Sequence, residues 1–291
     1  MKRKPTKMKI LNDKKIIDIL CCPHCRAEMY VCEEGSGVIA CKGPKTHCFD
    51  LSSVGHANFS RPSQSGGGDS AVAVKARSAF LNKGFYSPVS DAIKKLTSKY
   101  LTDGGVVVDA GCGEGYYTMN IARNGASVFG VDISKPAVEA ASKRAKREAC
   151  DNAFFGVSSV YEMPIRDGSV SVVTNIFAPC VENEYRRILK KSGVLIVAYA
   201  GEAHLMGLKR IIYDNAYLNE VNRADLPSNM KEIERIRVGA DILCEDNETV
   251  MELFSMTPYY WRTSKEDSDK LKRVETLRTE ADVVISVYRD E

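Results

Sequence analysis

The spacing of apolar positions along this 291-residue chain changes repeatedly, and the changes mark out its elements. Val106-Val107-Val108 is an unbroken β-branched run closed by Asp109, the pattern of a strand buried on both faces. Similar runs over 127–131, 153–157, 170–176 and 193–200 predict four more strands. Helical segments are predicted between and after them, over 115–123, 135–149, 182–190 and 204–219. Upstream, Val89, Ile93, Leu96 and Tyr100 fall on one stripe of a helix over 88–101. Asp69 or Ser70 can cap another helix over 71–81. Downstream, strand-like 235–243 and 281–288 flank a helix over 246–255 and suggest a reversed strand pair. Alternation of this kind predicts an α/β, Rossmann-like, doubly wound fold. Its mostly parallel sheet should have seven strands and take its ligand at their carboxyl ends.

The first 70 residues follow a different pattern. Lys14 to Leu20 predicts a short helix, and Met29–Cys32 and Val38–Cys41 predict a hairpin around 34–37. Ten cysteines are present, and six of them, Cys21, Cys22, Cys25, Cys32, Cys41 and Cys48, fall between positions 21 and 48. Cys22-Pro23-His24-Cys25 is a knuckle whose two thiolates can grip one tetrahedral ion. Cys41 follows at the distance expected across a hairpin, and either His47 or Cys48 can complete the set. Four protein ligands would close the site, so the expected Zn2+ is structural. Cys21 and Cys32 read as small buried residues. The expected organisation is a basic tail over 1–15, a zinc-binding module over 16–54, a Gly/Ser-rich flexible linker over 55–70 and a ligand-binding domain over 71–291.

The chemistry centres on Asp109-Ala-Gly-Cys-Gly-Glu-Gly115. Gly111, Gly113 and Gly115 allow a tight turn that brings backbone close to a ligand. Asp132 ends the next strand about 20 residues on, the usual distance of an acid that binds ribose hydroxyls. A dinucleotide loop would read G-x-G-x-x-G; here it is G-x-G-x-G behind a carboxylate that would repel a pyrophosphate. S-adenosylmethionine has an ammonium, a sulfonium and a ribose but no phosphate, so Asp109 and Asp132 match its two ends.

Composition and charge narrow the class. The chain is 44% apolar and 27% charged, as a soluble globular protein is. No apolar run is long enough to span a membrane and no apolar leader is seen, so a cytoplasmic protein is expected. Net charge is +3, unevenly spread: residues 1–15 have seven basic groups against Asp13, a net of +6, leaving −3 for the rest. Such a tail is either a solvated arm or one that lies on phosphates.

Several segments together carry a resemblance. Tyr86-Ser-Pro88, Asp109–Thr118, Ile176-Phe-Ala-Pro-Cys180, His204-Leu-Met206 and Met256-Thr-Pro-Tyr-Tyr-Trp-Arg262 resemble the bacterial 23S ribosomal RNA guanine-N1 methyltransferases. The resemblance runs from about Cys22 to the C-terminus. It implies methyl transfer from S-adenosylmethionine to N1 of one guanine in a hairpin of 23S rRNA, cofactor contacts at Tyr86, Glu114, Gly115 and His204, and a dimer. It also implies His47 as the fourth zinc ligand, because the family's ligand precedes a Phe-Asp pair found here as Phe49-Asp50.

N1 lies on the pairing edge of guanine, so the base must be unstacked and held on an aromatic face. Phe177 and Trp261, or its neighbour Tyr260, are the candidates. Cys180 reads as structural, because deprotonated N1 needs no covalent help. Glu182 and Glu184 are the available general-base candidates, Ser159 can serve the adenine, and Arg61, Lys75 and Arg77 can meet phosphates. Two competing readings are a methyltransferase of a small metabolite and a non-catalytic zinc protein that binds RNA.

Overall fold

The computed structural model describes residues 13–33, 36–61, 68–221 and 226–291; most of the basic tail and residues 62–67 of the expected linker lie outside them. Helix α1 (Lys14–Ile19) is capped by Asp13, whose carboxylate accepts from the Lys15 amide at 3.0 Å. Strands β1 (Met29–Val31), β2 (Val38–Cys41) and β3 (Cys48–Asp50) form a small antiparallel sheet in that order. Strand β4 (Ala57–Asn58) follows. Helices α2 (Ala71–Asn82) and α3 (Ser87–Tyr100) lead to β5 (Val106–Ala110), α4 (Tyr116–Ala122), β6 (Ser127–Asp132), α5 (Lys135–Arg147) and β7 (Ala153–Val157). Next come β8 (Val170–Ile176), α6 (Glu182–Ile188), β9 (Leu189–Ala200), α7 (Met206–Ile212) and β10 (Lys231–Cys244). The chain closes with α8 (Asn247–Ser255), α9 (Tyr259–Arg262), α10 (Lys265–Leu271) and β11 (Leu277–Arg289).

The large sheet has the order β10-β11-β9-β8-β5-β6-β7-β4. Its central strands are parallel, and β11 runs antiparallel to both β9 and β10. Eight strands replace the seven expected. The eighth is β4, which lies in the expected linker and pairs in parallel with the end of β7 through Ala57 and Asn58. Two residues are too few to show a period, so nothing in the sequence distinguished them from loop.

Successive residues of β5 feed opposite faces, as pleating requires. Val106 and Val108 join a cluster with Phe129, Phe154, Ile165 and Tyr185, while Val107 joins Phe80, Val89, Ile93 and Leu96 beneath α2 and α3. The first cluster also contains Ile16, Ile17, Leu20, Ile39 and Phe49, so the cysteine-rich module shares its core with the large sheet. Arg26 fastens it further, donating to the carbonyls of Met163 at 3.2 Å and Ile165 at 2.9 Å.

Helix α7 is shorter than the segment expected over 204–219. Leu205 stands at φ 56°, which stops helix growth upstream. Beyond Ile212 the buried Lys209 ammonium instead donates to Tyr217 O at 2.9 Å and Asn219 Oδ1 at 2.6 Å. Helix α10 has Leu271 as its one buried residue, so it shows no apolar stripe in sequence.

Gly130 tests the packing beneath the ligand-binding edge. A β-carbon there would lie 2.6 Å from Phe155 and 3.0 Å from Cys112 Sγ. We expect Gly130→Ala to cost about 1–3 kcal/mol by overpacking, read as a lower urea midpoint at unchanged slope. An unaltered midpoint would show that the ring has room to yield.

Candidate active site and metal centre

Strand β5 delivers the chain into a loop at the sheet's carboxyl edge where Gly111, Gly113 and Gly115 all take left-handed backbone, at φ 79°, 54° and 79°. Only glycine adopts this conformation without steric cost. A β-carbon at Gly115 would meet Ala141 of α5 at 2.9 Å, and one at Gly111 would meet Ala178 at 2.7 Å. Gly113 faces open space instead, with Arg77 Nη1 the nearest atom at 3.8 Å. Backbone is thus packed from below and bare above.

Asp132, at the end of β6, holds this loop. Its Oδ2 accepts the Gly113 amide at 2.9 Å and its Oδ1 accepts the Ser134 amide at 2.8 Å. Burial raises its carboxyl above the usual range. Asp109 is 1% exposed, and its two oxygens accept the hydroxyls of Thr118 and Thr174. Burial lifts its carboxyl to about 6. These bonds tie the end of β5 to α4 and to β8 from inside. The two threonines carried no signal in sequence, because each reads as an ordinary β-branched element residue.

Glu114 sits within the loop at 3% exposure, and burial raises its carboxyl. Its Oε1 lies 3.8 Å from Arg144 and has no hydrogen-bond partner. A buried carboxylate oxygen left unpaired is costly, and a polar ligand can satisfy it. Arg144 itself is held by Asn82 Oδ1 at 3.0 Å and Ser78 Oγ at 3.2 Å, joining α2 to α5.

Tyr86, His204 and Phe177 converge at the ends of β8 and β9. The Tyr86 hydroxyl lies 3.3 Å from His204 Nε2, and the Phe177 ring centroid is 5.7 Å from that of His204 and 6.3 Å from that of Tyr86. Phe177 stands at φ 52°, an uncommon conformation for a non-glycine residue, and its ring is 44% exposed. His204 Nδ1 is 3.0 Å from the Asp282 carbonyl. Burial depresses this imidazole to about 4, so it is neutral near pH 7. Arg237 clamps the Asp282 carboxylate at 2.6 and 2.7 Å and holds its carboxyl below the usual range. The link from Asp282 to the site was invisible in sequence, because it crosses from β11 to the turn before α7.

Other candidates are placed elsewhere. Trp261 lies on α9, 68% exposed, with its ring 4.9 Å from Tyr260 and no contact with the Phe177 cluster. Glu182 caps the turn at Ser228 and Asn229, and Glu184 pairs with Arg187, so neither stands as a free base. Ser159 Oγ accepts the Tyr161 amide at 3.2 Å. Arg61 pairs with Glu162 at 2.8 Å, Arg77 pairs with Asp69, and Lys75 is exposed.

The cysteine-rich module brings four donors together. Cys22, Cys25, Cys41 and His47 offer ligand atoms all within 4.8 Å of one another. Cys22 Sγ and Cys41 Sγ each lie 3.5 Å from His47 Nδ1, and Cys25 Sγ lies 3.7 Å from Cys41 Sγ. Tetrahedral zinc bonds imply edges of about 3.6 Å for sulfur to nitrogen and about 3.8 Å for sulfur to sulfur. The backbone amides of His24 and His47 donate to Cys22 and Cys41 sulfurs, as suits thiolates. Cys48 is exposed on β3, facing away.

The sheet order, the glycine loop and the acid after β6 are those of a Rossmann-like class I methyltransferase, and a methyltransferase-domain family matches residues 101–275. The chain is an S-adenosylmethionine-dependent methyltransferase. A Bacillus subtilis protein named "putative 23S rRNA (guanine-N(1)-)-methyltransferase" is 29% identical over 279 residues, 91% of this chain and 95% of that protein. The 23S rRNA (guanine(748)-N(1))-methyltransferase of Streptomyces fradiae is 30% identical over 200 residues, 67% of this chain and 68% of that enzyme. This chain belongs to their family, the 23S rRNA (guanine-N1)-methyltransferases. A solved "putative type II methyltransferase" from Anaeromyxobacter dehalogenans shares the fold, with a TM-score of 0.50 and 16% identity, covering 68% of this chain and 95% of that one. Among the described residues no helix is long and apolar enough to cross a membrane.

The buried imidazole gives a testable pH dependence. An unfolded histidine takes up a proton below its ordinary value of 6.5, whereas folded His204 resists until about 4. The unfolded state therefore binds more protons in that window, and stability falls as pH drops from 6.5 towards 4. We expect His204→Gln to remove up to about 3 kcal/mol of this acid-side loss, measured as urea midpoints against pH. Parallel curves for the two proteins would refute it.

Proposed function

We propose that this enzyme transfers the methyl group of S-adenosylmethionine to N1 of one guanine in a hairpin of 23S ribosomal RNA. The observation that carries this reading is the similarity to relatives named for that reaction, which extends over 91% of the chain in one case.

The residues present fit the cofactor. Bare backbone above Gly113, the unpaired Glu114 oxygen and the buried Tyr86–His204 pair offer the polar and close-packed surfaces it needs. In this reading Tyr86, Glu114, Gly115 and His204 contact it, Asp132 receives the ribose, and Asp109 acts from the strand it ties to α4 and β8. When bound, the cofactor supplies an electrophilic methyl group, and the protein's work is alignment. Phe177 offers a partly exposed ring at the mouth for an extruded guanine to stack on. Trp261 serves the RNA further out, on α9. N1 must lose its proton, and among the described residues no side chain at the mouth is placed as a free base. A homodimer is proposed from the family resemblance alone.

Incubation with labelled S-adenosylmethionine and unmodified 23S rRNA should place label on RNA and create a single strong reverse-transcription stop at one guanine. Label confined to small molecules, or without a stop, would sink the assignment. Phe177→Ala should lower kcat/KM for RNA by about ten- to a hundredfold, the worth of one base–aromatic stack.

We propose further that Cys22, Cys25, Cys41 and His47 hold one structural zinc. Cys48→Ser should then retain about one zinc per chain, whereas His47→Ala loses most of it and lowers the thermal midpoint of the whole protein. Metal analysis with calorimetry decides; equal retention in both variants would overturn the ligand set.

A further inference from the structure

We propose that Arg77 is the receptor for the carboxylate at the amino-acid end of the cofactor, exchanging its bond to Asp69 for that ligand. The proposal rests on the reading that the glycine loop takes S-adenosylmethionine, and adds the group that the sequence and the family resemblance left unassigned.

Charge around the loop sets the problem. Four carboxylates, Asp69, Asp109, Glu114 and Asp132, surround it on α2's leading turn, β5, the loop itself and β6. They suit an ammonium and a sulfonium. The cofactor's carboxylate needs a cation, and placing it among acids without one would be strongly unfavourable. Two guanidiniums are within reach. Arg144 is committed: its side chain is 7% exposed, held by Asn82 and Ser78, and it lies over the Tyr116 ring at 5.9 Å.

Arg77 differs in every respect. Its side chain is 29% exposed, and Nη1 is the atom nearest to where a Gly113 β-carbon would stand, at 3.8 Å. It therefore borders the one part of the loop whose backbone is open. Nη2 donates to the Met256 carbonyl at 3.3 Å, which steadies the guanidinium from the α8–α9 side. Its other partner is the Asp69 carboxylate. Asp69 is itself positioned through its backbone, whose carbonyl accepts the Ser134 hydroxyl at 2.8 Å beside Asp132. One carboxylate can thus replace another on Arg77 while the backbone around it stays anchored. A guanidinium fork matches a carboxylate in two parallel bonds, so the ligand's group can take the place of Asp69 on Arg77, and the freed Asp69 adds one acid facing the ligand's cationic groups.

Competition by Asp69 makes the proposal testable with the full-length, metal-loaded protein. Calorimetry would compare S-adenosylhomocysteine, which has the carboxylate, with decarboxylated S-adenosylmethionine, which lacks it. Arg77→Ala should weaken S-adenosylhomocysteine by about ten- to a hundredfold, the usual worth of a bond to a charged group, and change the decarboxylated ligand by less than about twofold. Arg77→Lys should recover part of the loss. Asp69→Asn should leave binding equal or tighten it several-fold, because the competitor is gone. Equal weakening of both ligands by Arg77→Ala would overturn the proposal, as would Asp69→Asn weakening binding as much as Arg77→Ala, which would make the pair a structural clasp. Loss of RNA affinity alone in Arg77→Ala would make it a phosphate contact and overturn it too. If the unaltered protein bound neither ligand, the cofactor reading itself would fail, and that outcome is distinct from all of these.

Discussion

Three left-handed glycines around a single aspartate are the constraint from which the site grows. Because Gly111, Gly113 and Gly115 lack β-carbons, the loop passes between Ala178 and Ala141 and still presents its amide to Asp132. Were that path blocked, Asp132 would lose its partner, Asp109 its brace between Thr118 and Thr174, and α4 its starting direction. The helices above the sheet meet the same turn, since Arg144 of α5 lies 3.8 Å from Glu114 in the loop and Arg77 of α2 lies beside Gly113.

Much of this was legible before any coordinate. Long apolar runs such as Val106–Val108 report burial on both faces, and a stripe such as Val89, Ile93 and Leu96 reports one buried helix face; both are local statements about solvent. The cysteine knuckle was legible for the same reason, since two ligands on one turn are a local pattern. The structure also turns His47 inward and Cys48 outward, a choice that spacing alone left open. What spacing could not show were relations between distant segments. Asp109 reads as a ligand group because it leads the motif, and the fold adds that its oxygens accept from residues 9 and 65 positions away. Asp282 reaches His204 across 78 positions. Arg77 read as a possible phosphate contact, and only the fold lays it beside Gly113. β3 and β4, of three and two residues, were missed because neither shows a period nor sits beside a turn signal that pairs it, as β1 does.

The site divides its labour by polarity. Buried acids occupy the β5–β6 side, where burial raises their carboxyls and makes a positive ligand welcome. The β8–β9 side is aromatic, and its histidine is held neutral. A charged donor and a flat, uncharged acceptor therefore meet surfaces of different character within one mouth. The uncommon backbone at Phe177 lies at the frontier between the two.

Arg26 and Arg187 grip the same three acceptors, the Met163 and Ile165 carbonyls and the Asp167 carboxylate, one from the cysteine-rich module and one from α6. With a shared apolar core behind them, these contacts leave no hinge at this seam. The module and the mouth are therefore the two jaws of a calliper with a locked gap.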